Sequence, residues 1–307
     1  MPRLADALLT GPVVLDGGLS TELEARGSDV SSALWSARLL RDEPAAIVAA
    51  HRAFAEAGAQ VATTASYQAT VEGFAAAGID AAEARRLITS SVALAREGQG
   101  EGWIAGSVGP YGAMLADGSE YTGDYVRDVG VDALRAFHRP RMELLAAAGA
   151  DVLACETVPA AAEAEALIAE AEALGVPIWL SLTTVVDARG TVRTRRGEPA
   201  AEVFAMAAGR DTVIAVGANC TDPSGMPAAV RTAAAAGKPV VGYPNSGEVW
   251  DAVGRRWTGP AAFDPVAVRS WVDAGARLIG GCCRVGPDQI AALAGAFGTK
   301  STWGAAG

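Results

Sequence analysis

Short runs of apolar residues alternate along this chain with longer, alanine-rich segments of amphipathic helical pattern. Eight runs read as strands, at residues 13–16, 60–63, 103–107, 151–156, 178–183, 213–219, 240–243 and 278–282. Helical patterns lie between them at 44–57, 81–97, 125–148, 160–173, 200–207, 227–236 and 265–274, and an eighth at 287–296 follows the last strand. Gly58, Gly149, Gly175, Gly237 and Gly275 stand between a helix and the next strand, where a left-handed cap is expected. This alternation predicts parallel strands joined by right-handed crossovers. Eight such units in 307 residues favour a closed (β/α)8 TIM barrel of the α/β class over an open doubly wound sheet. No Gly-x-Gly-x-x-Gly sequence follows a strand, which weakens a dinucleotide-binding reading. One domain is expected over 1–307, with 298–307 a frayed tail.

Three strand-to-helix connections are enlarged, at 109–124, 185–199 and 245–264. In a barrel all three lie on the face formed by the strand carboxyl ends, where sites are built. Composition narrows the candidates further. Half the residues are hydrophobic, 20% are charged and the formal charge is −10, so a large core is expected and a general nucleic-acid-binding field is not. The basic cluster Arg193, Arg195 and Arg196 reads as a solvated loop. No signal-peptide pattern opens the sequence and no run of 18 apolar residues occurs, so a cytoplasmic protein without a membrane partner is expected. In that compartment four cysteines are better read as ligands, catalysts or buried small side chains than as disulfides. Only two histidines are present, His51 and His138, which counts against a His-rich metal site or a His-based triad.

The carboxyl ends of the eight runs carry most of the reactive side chains: Asp16, Thr63, Ser107, Glu156, Thr183, Cys220, Asn245 and the pair Cys282-Cys283. The barrel would gather them on one rim. Adjacent cysteines bridge each other poorly, because consecutive Cα atoms are about 3.8 Å apart and disulfides usually need 4.4–6.8 Å. Adjacent strand residues point to opposite faces, so Cys283 must lie past the regular strand, in a turn that Gly280-Gly281 permits. Cys220, Cys282 and Cys283, from the sixth and eighth strands, would then suit a zinc ion with an open fourth position, the layout of a catalytic site. Buried apolar cysteines remain the alternative on the residues alone. Cys155, mid-strand and without a local partner, reads as core packing.

Asp16-Gly17-Gly18, Asn219-Cys220 and Gly280-Gly281-Cys282-Cys283-Arg284 together resemble the zinc-dependent homocysteine S-methyltransferase family, over nearly the whole chain. Further blocks resemble its bacterial and plant branch, which uses S-methylmethionine or S-adenosylmethionine. These are Thr21-Glu22-Leu23-Glu24-Ala25-Arg26-Gly27, Ala65-Ser66-Tyr67-Gln68-Ala69-Thr70, Gly106-Ser107-Val108-Gly109-Pro110-Tyr111-Gly112, Asp117-Gly118-Ser119-Glu120-Tyr121 and Tyr243-Pro244-Asn245-Ser246-Gly247-Glu248. Thr183-Thr184 departs from the aromatic-Thr pair that relatives often carry, at no catalytic position.

The resemblance implies a (β/α)8 barrel with one Zn2+ per chain on Cys220, Cys282 and Cys283, and the homocysteine sulfur in the fourth position. It implies that Asp16 and Glu156 meet the substrate ammonium, that backbone near Gly17 and Thr63 holds the amino acid, and that Asn245 belongs to the same contacts. A sulfonium donor is a cation, so aromatic faces and carboxylates should hold it. The candidates are Trp35, Tyr67, Tyr111, Tyr121, Tyr125, Trp250, Glu120 and Glu248. Betaine-using relatives resemble the chain more distantly and carry a long C-terminal arm with no counterpart here, so a monomer is expected. The homocysteine-binding module of cobalamin-dependent methionine synthase is a further rival, for whose folate, cobalamin and reactivation modules the chain has no room. A selenol acceptor such as selenocysteine is a third, and a non-catalytic zinc or thiol-redox protein is the alternative from another class.

Overall fold

The computed structural model describes residues 2–30, 34, 36–251 and 256–298, with no side-chain description over 249–257. The tail beyond residue 298 and Trp35 lie outside the described residues, as does the side chain of Trp250. Eight parallel strands form one sheet: β1 (Val13–Val14), β2 (Val61–Thr63), β3 (Trp103–Val108), β4 (Val152–Val158), β5 (Ile178–Leu182), β6 (Val213–Asn219), β7 (Val240–Tyr243) and β8 (Ala276–Ile279). Each pairs with its neighbours in sequence, β1 pairs with β8, and a parallel bridge between Leu15 and Val61 completes the ring. The predicted (β/α)8 barrel is therefore observed.

Each strand feeds a helix: α1 (Pro44–Glu56), α2 (Ala81–Gln99), α3 (Val131–Ala147), α4 (Ala161–Leu174), α5 (Ala200–Ala205), α6 (Met226–Ala234), α7 (Val268–Asp273) and α8 (Pro287–Phe297). The strands are apolar over most of their length because both faces are covered, and carry polar side chains towards their carboxyl ends. Trp103, Ala105, Val152, Ala154 and Trp179 pack in the barrel lumen, while their neighbours Ile104, Leu153 and Leu180 pack against the helices. Cys155 belongs to that outer layer and is fully buried, as its mid-strand position predicted. The five helix-ending glycines all have positive φ.

Three features depart from the sequence expectation. The helix predicted at 125–148 divides into a 3-10 turn (Asp124–Arg127) and α3, with Gly130 as the N-cap of α3. Two enlarged connections contain antiparallel hairpins, Thr184–Val186 with Val192–Thr194 and Val249–Asp251 with Arg256–Thr258. The third contains a short helix, Tyr111–Leu115. Among the described residues no helix is long and apolar enough to cross a membrane.

Candidate active site

The strand carboxyl ends converge on a cavity of about 140 Å3. Asp16, Thr63, Ser107, Glu156 and the three cysteines 220, 282 and 283 all line it, although they are spread over most of the chain. Cys220 directly follows β6 with φ of +45°, a backbone region that non-glycine residues adopt only at a cost. That turn swings its thiol towards Cys282 and Cys283, which lie past the end of β8 as the adjacency argument required.

The three Sγ atoms lie within 4.8 Å of one another, and among the described residues no other Cys, His, Asp or Glu joins the group. Cys220 and Cys283 are 3.8 Å apart, the edge of a tetrahedron with Zn–S bonds of about 2.3 Å. Cys220 and Cys282 approach more closely, to 2.7 Å, well outside a disulfide bond of about 2.05 Å. Hydrogen bonds from Cys220 and then Cys282 hold the Cys283 thiol well below the usual thiol range, while contacts with Cys220 and then Cys283 push Cys282 up. Three soft sulfur donors converging on one spot fit a thiophilic dication.

The cluster is held by neighbours to which sequence reasoning gave no bracing role. Asn219 is fully buried; its Oδ1 accepts from the Thr157 N–H at 2.7 Å and the Ser181 hydroxyl at 2.8 Å. Its Nδ2 donates to Thr157 Oγ1 at 2.8 Å. Thr157 itself has φ of +61°, beside Glu156. Around Cys283, Asn245 Oδ1 accepts the Cys283 N–H at 3.2 Å, and Ser246 donates its N–H to the Cys283 carbonyl at 2.9 Å. Asn245 does not line the cavity, so it reaches the site through the cysteine backbone. Thr183 is likewise outside the lining, with its hydroxyl 3.3 Å from the Cys220 carbonyl.

Two buried carboxylates face the cavity. Asp16 accepts from the Thr63 N–H at 2.6 Å and the Thr63 hydroxyl at 2.9 Å, so both Thr63 donors are spent on aiming Asp16. Glu156 accepts from the Ser107 hydroxyl and from Tyr243 Oη at 2.9 Å. Burial pushes each up to about 7, against these hydrogen bonds. Such a pair is costly unless a cation arrives between them. Gly17 also lines the cavity and admits no side chain, since a Cβ there would lie 2.3 Å from the Val285 carbonyl oxygen.

Of the aromatic candidates, Tyr67 and Tyr121 line the cavity. Tyr111 and Tyr125 do not; they pack together with ring centroids 5.3 Å apart. Glu248 is also outside the lining and pairs with Arg284 at 3.3 Å. Glu120 is buried beside Tyr121.

A (β/α)8 barrel whose rim cavity gathers three thiols and two buried carboxylates has the layout of an enzyme site suited to a thiophilic metal and a cationic group. The sequence model of the homocysteine S-methyltransferase family matches residues 13–297, and the chain belongs to that family of methyltransferases. Homocysteine S-methyltransferase of Escherichia coli (strain K12) is 46% identical over 303 residues, covering 92% of this chain and 94% of that one. Homocysteine S-methyltransferase YbgG of Bacillus subtilis (strain 168) is 42% identical over 299 residues, with 92% and 93% covered. The crystal structure of the metallated form of the homocysteine methyltransferase MmuM from Escherichia coli superposes with a TM-score of 0.83 at 44% identity, covering 94% of this chain and 98% of that one. Family membership sets aside the reading of the chain as a non-catalytic zinc or thiol-redox protein.

Proposed function

We propose that this methyltransferase moves a methyl group from a sulfonium donor, S-methylmethionine or S-adenosylmethionine, to the sulfur of homocysteine, with one Zn2+ on Cys220, Cys282 and Cys283. The observation that carries the reading is the thiol cluster opening onto the same cavity as Asp16 and Glu156. The metallated relative supports a resident metal, and the all-sulfur donor set supports zinc.

Bound there, zinc supplies the acidity that keeps a substrate thiol deprotonated and nucleophilic at neutral pH. The protein supplies the rest. Asp16 and Glu156 receive the homocysteine ammonium, which replaces the missing counter-charge of two buried carboxylates. Thr63 and Ser107 aim those carboxylates, Asn245 fixes the Cys283 backbone, and Asn219, next to Cys220, ties the end of β6 to Thr157 and Ser181. Tyr67 and Tyr121 offer aromatic faces to the sulfonium; the third cavity tyrosine, Tyr243, is committed to Glu156, Trp179 and Ser181. The homocysteine sulfur forms a bond to the methyl carbon as the carbon–sulfonium bond breaks. That electron pair returns to the donor sulfur, leaving a neutral thioether, and the thiol proton leaves to solvent.

Four cysteines without a disulfide among the described residues support a cytoplasmic setting. Reduced, zinc-loaded protein given homocysteine and S-methylmethionine should form two methionines per homocysteine consumed. Inertness towards both sulfonium donors, with turnover of betaine, would overturn the assignment.

A further inference from the structure

Behind the aromatic wall of the cavity lies a buried charge relay, none of whose members lines the cavity. Arg141 and His138 on α3 and Glu163 on α4 are all at most 2% exposed. The His138 Nδ1 atom accepts from Arg141 Nη2 at 2.6 Å, and its Nε2 faces Glu163 Oε1 at 2.9 Å. Burial, then the neighbouring Arg141 charge, lowers the imidazole to about 4, so a neutral ring carrying its proton on Nε2 connects cation to anion. The hydrogen-bond pattern sets that tautomer.

The two ends of the relay hold the loops after β2 and β3. Arg141 Nη2 donates to the Gly109 carbonyl, and Nη1 reaches the Tyr67 carbonyl at 3.4 Å. Gly109 in turn donates its N–H to that same Tyr67 carbonyl at 3.3 Å. The Tyr67 ring lies so close on Gly109 that a Cβ there would come within 2.7 Å of ring carbons Cδ2 and Cε2. Glu163 accepts from the Tyr111 N–H at 2.6 Å and from the Tyr125 hydroxyl, at opposite ends of the loop that carries Tyr121. Both aromatic faces of the cavity are therefore moored to one buried ion pair.

We propose that Arg141, His138 and Glu163 are positioning residues that set Tyr67 and Tyr121 for the methyl donor, without acting on homocysteine. The inference rests on the assignment above of these two tyrosines to a sulfonium. A relay of this kind resists partial removal, because breaking one member leaves another buried and unpaired.

The test is steady-state kinetics of the zinc-loaded enzyme with S-methylmethionine and homocysteine varied in turn. Arg141→Lys and Glu163→Gln should raise the donor KM at least about tenfold, while the homocysteine KM and the zinc content per chain stay within about twofold. Gln can donate to Glu163 and accept from Arg141, so His138→Gln should keep the donor KM within about threefold of wild type. Tyr125→Phe removes one hydroxyl from Glu163 and should show the same split at about threefold, which keeps the test decisive if the charged variants fail to fold. Leu167→Ala, in the α4 core but outside the relay, should lower stability with both KM values unchanged. Equal rises in both KM values, no change in either, or the same split in Leu167→Ala would overturn the relay. A wild type inert towards both sulfonium donors would instead overturn the donor assignment on which it rests.

Discussion

Replacing Asn219 by Ala should cost this protein both stability and metal, although Asn219 ligates nothing. The side chain is fully buried and makes three hydrogen bonds, at 2.7 Å to the Thr157 N–H, 2.8 Å to the Ser181 hydroxyl and 2.8 Å to Thr157 Oγ1. Its removal strands the buried Thr157 N–H, at about 1–3 kcal/mol, and loses further bonds of about 1 kcal/mol each. The sum is about 3–5 kcal/mol. With an unfolding entropy of about 2.1 cal/mol/K per residue, 307 residues give about 1.6 °C per kcal/mol, so Tm should fall by about 5–8 °C. The same bonds brace the positive-φ backbone at Thr157, beside Glu156, and Asn219 adjoins the strained Cys220, which costs of order 1–3 kcal/mol to hold. Zinc per chain, measured by plasma mass spectrometry after dialysis, should therefore drop well below one while circular dichroism still reports a folded barrel. A Tm within 2 °C of wild type together with full zinc content would refute the bracing argument.

Asp16→Asn keeps the shape but removes the charge offered to the substrate ammonium, worth about 1.5–3 kcal/mol, so the homocysteine KM should rise about 10- to 100-fold in initial-rate assays, with zinc unchanged. Glu156 stands at about 7 when folded, above its ordinary value of 4.5, so its contribution to stability is complete below about pH 4.5 and is lost as pH rises through 7. The buried histidines His51 and His138, each lowered to about 4, act in the opposite sense, losing stability as pH falls below 6.5. The informative quantity is therefore the urea-unfolding difference between Glu156→Gln and wild type in ligand-free protein. It should move in favour of the variant by up to about 3 kcal/mol between pH 5 and 8, and a pH-independent difference would contradict the burial argument.

The barrel was legible because each strand is a short run, apolar through its middle, between helical patterns, and all eight runs became strands. The hairpin at Thr184–Val186 was not, since Val185 and Val186 are more than a third exposed and their pairing serves a loop rather than the core. The thiol cluster was legible because adjacent cysteines have few other uses. The braces behind it were not. Nothing about Thr157 signals a left-handed backbone, and Asn219 reads locally as the end of a strand. The relay was hidden by periodicity: α4 carries four glutamates in an alanine background, of which Glu163 and Glu170 are buried while Glu165 and Glu172 are exposed. Backbone near Thr63 was expected to help hold the amino acid; not legible in the sequence was that the Thr63 N–H and hydroxyl both donate to Asp16.

Sulfur counting at the metal tests the central claim most directly. Zinc K-edge X-ray absorption of the reduced, zinc-loaded enzyme should show three sulfur ligands at about 2.3 Å, rising to four when homocysteine is added. A count that stays at three with saturating homocysteine would contradict the placement of the acceptor sulfur at the Cys220–Cys282–Cys283 cluster.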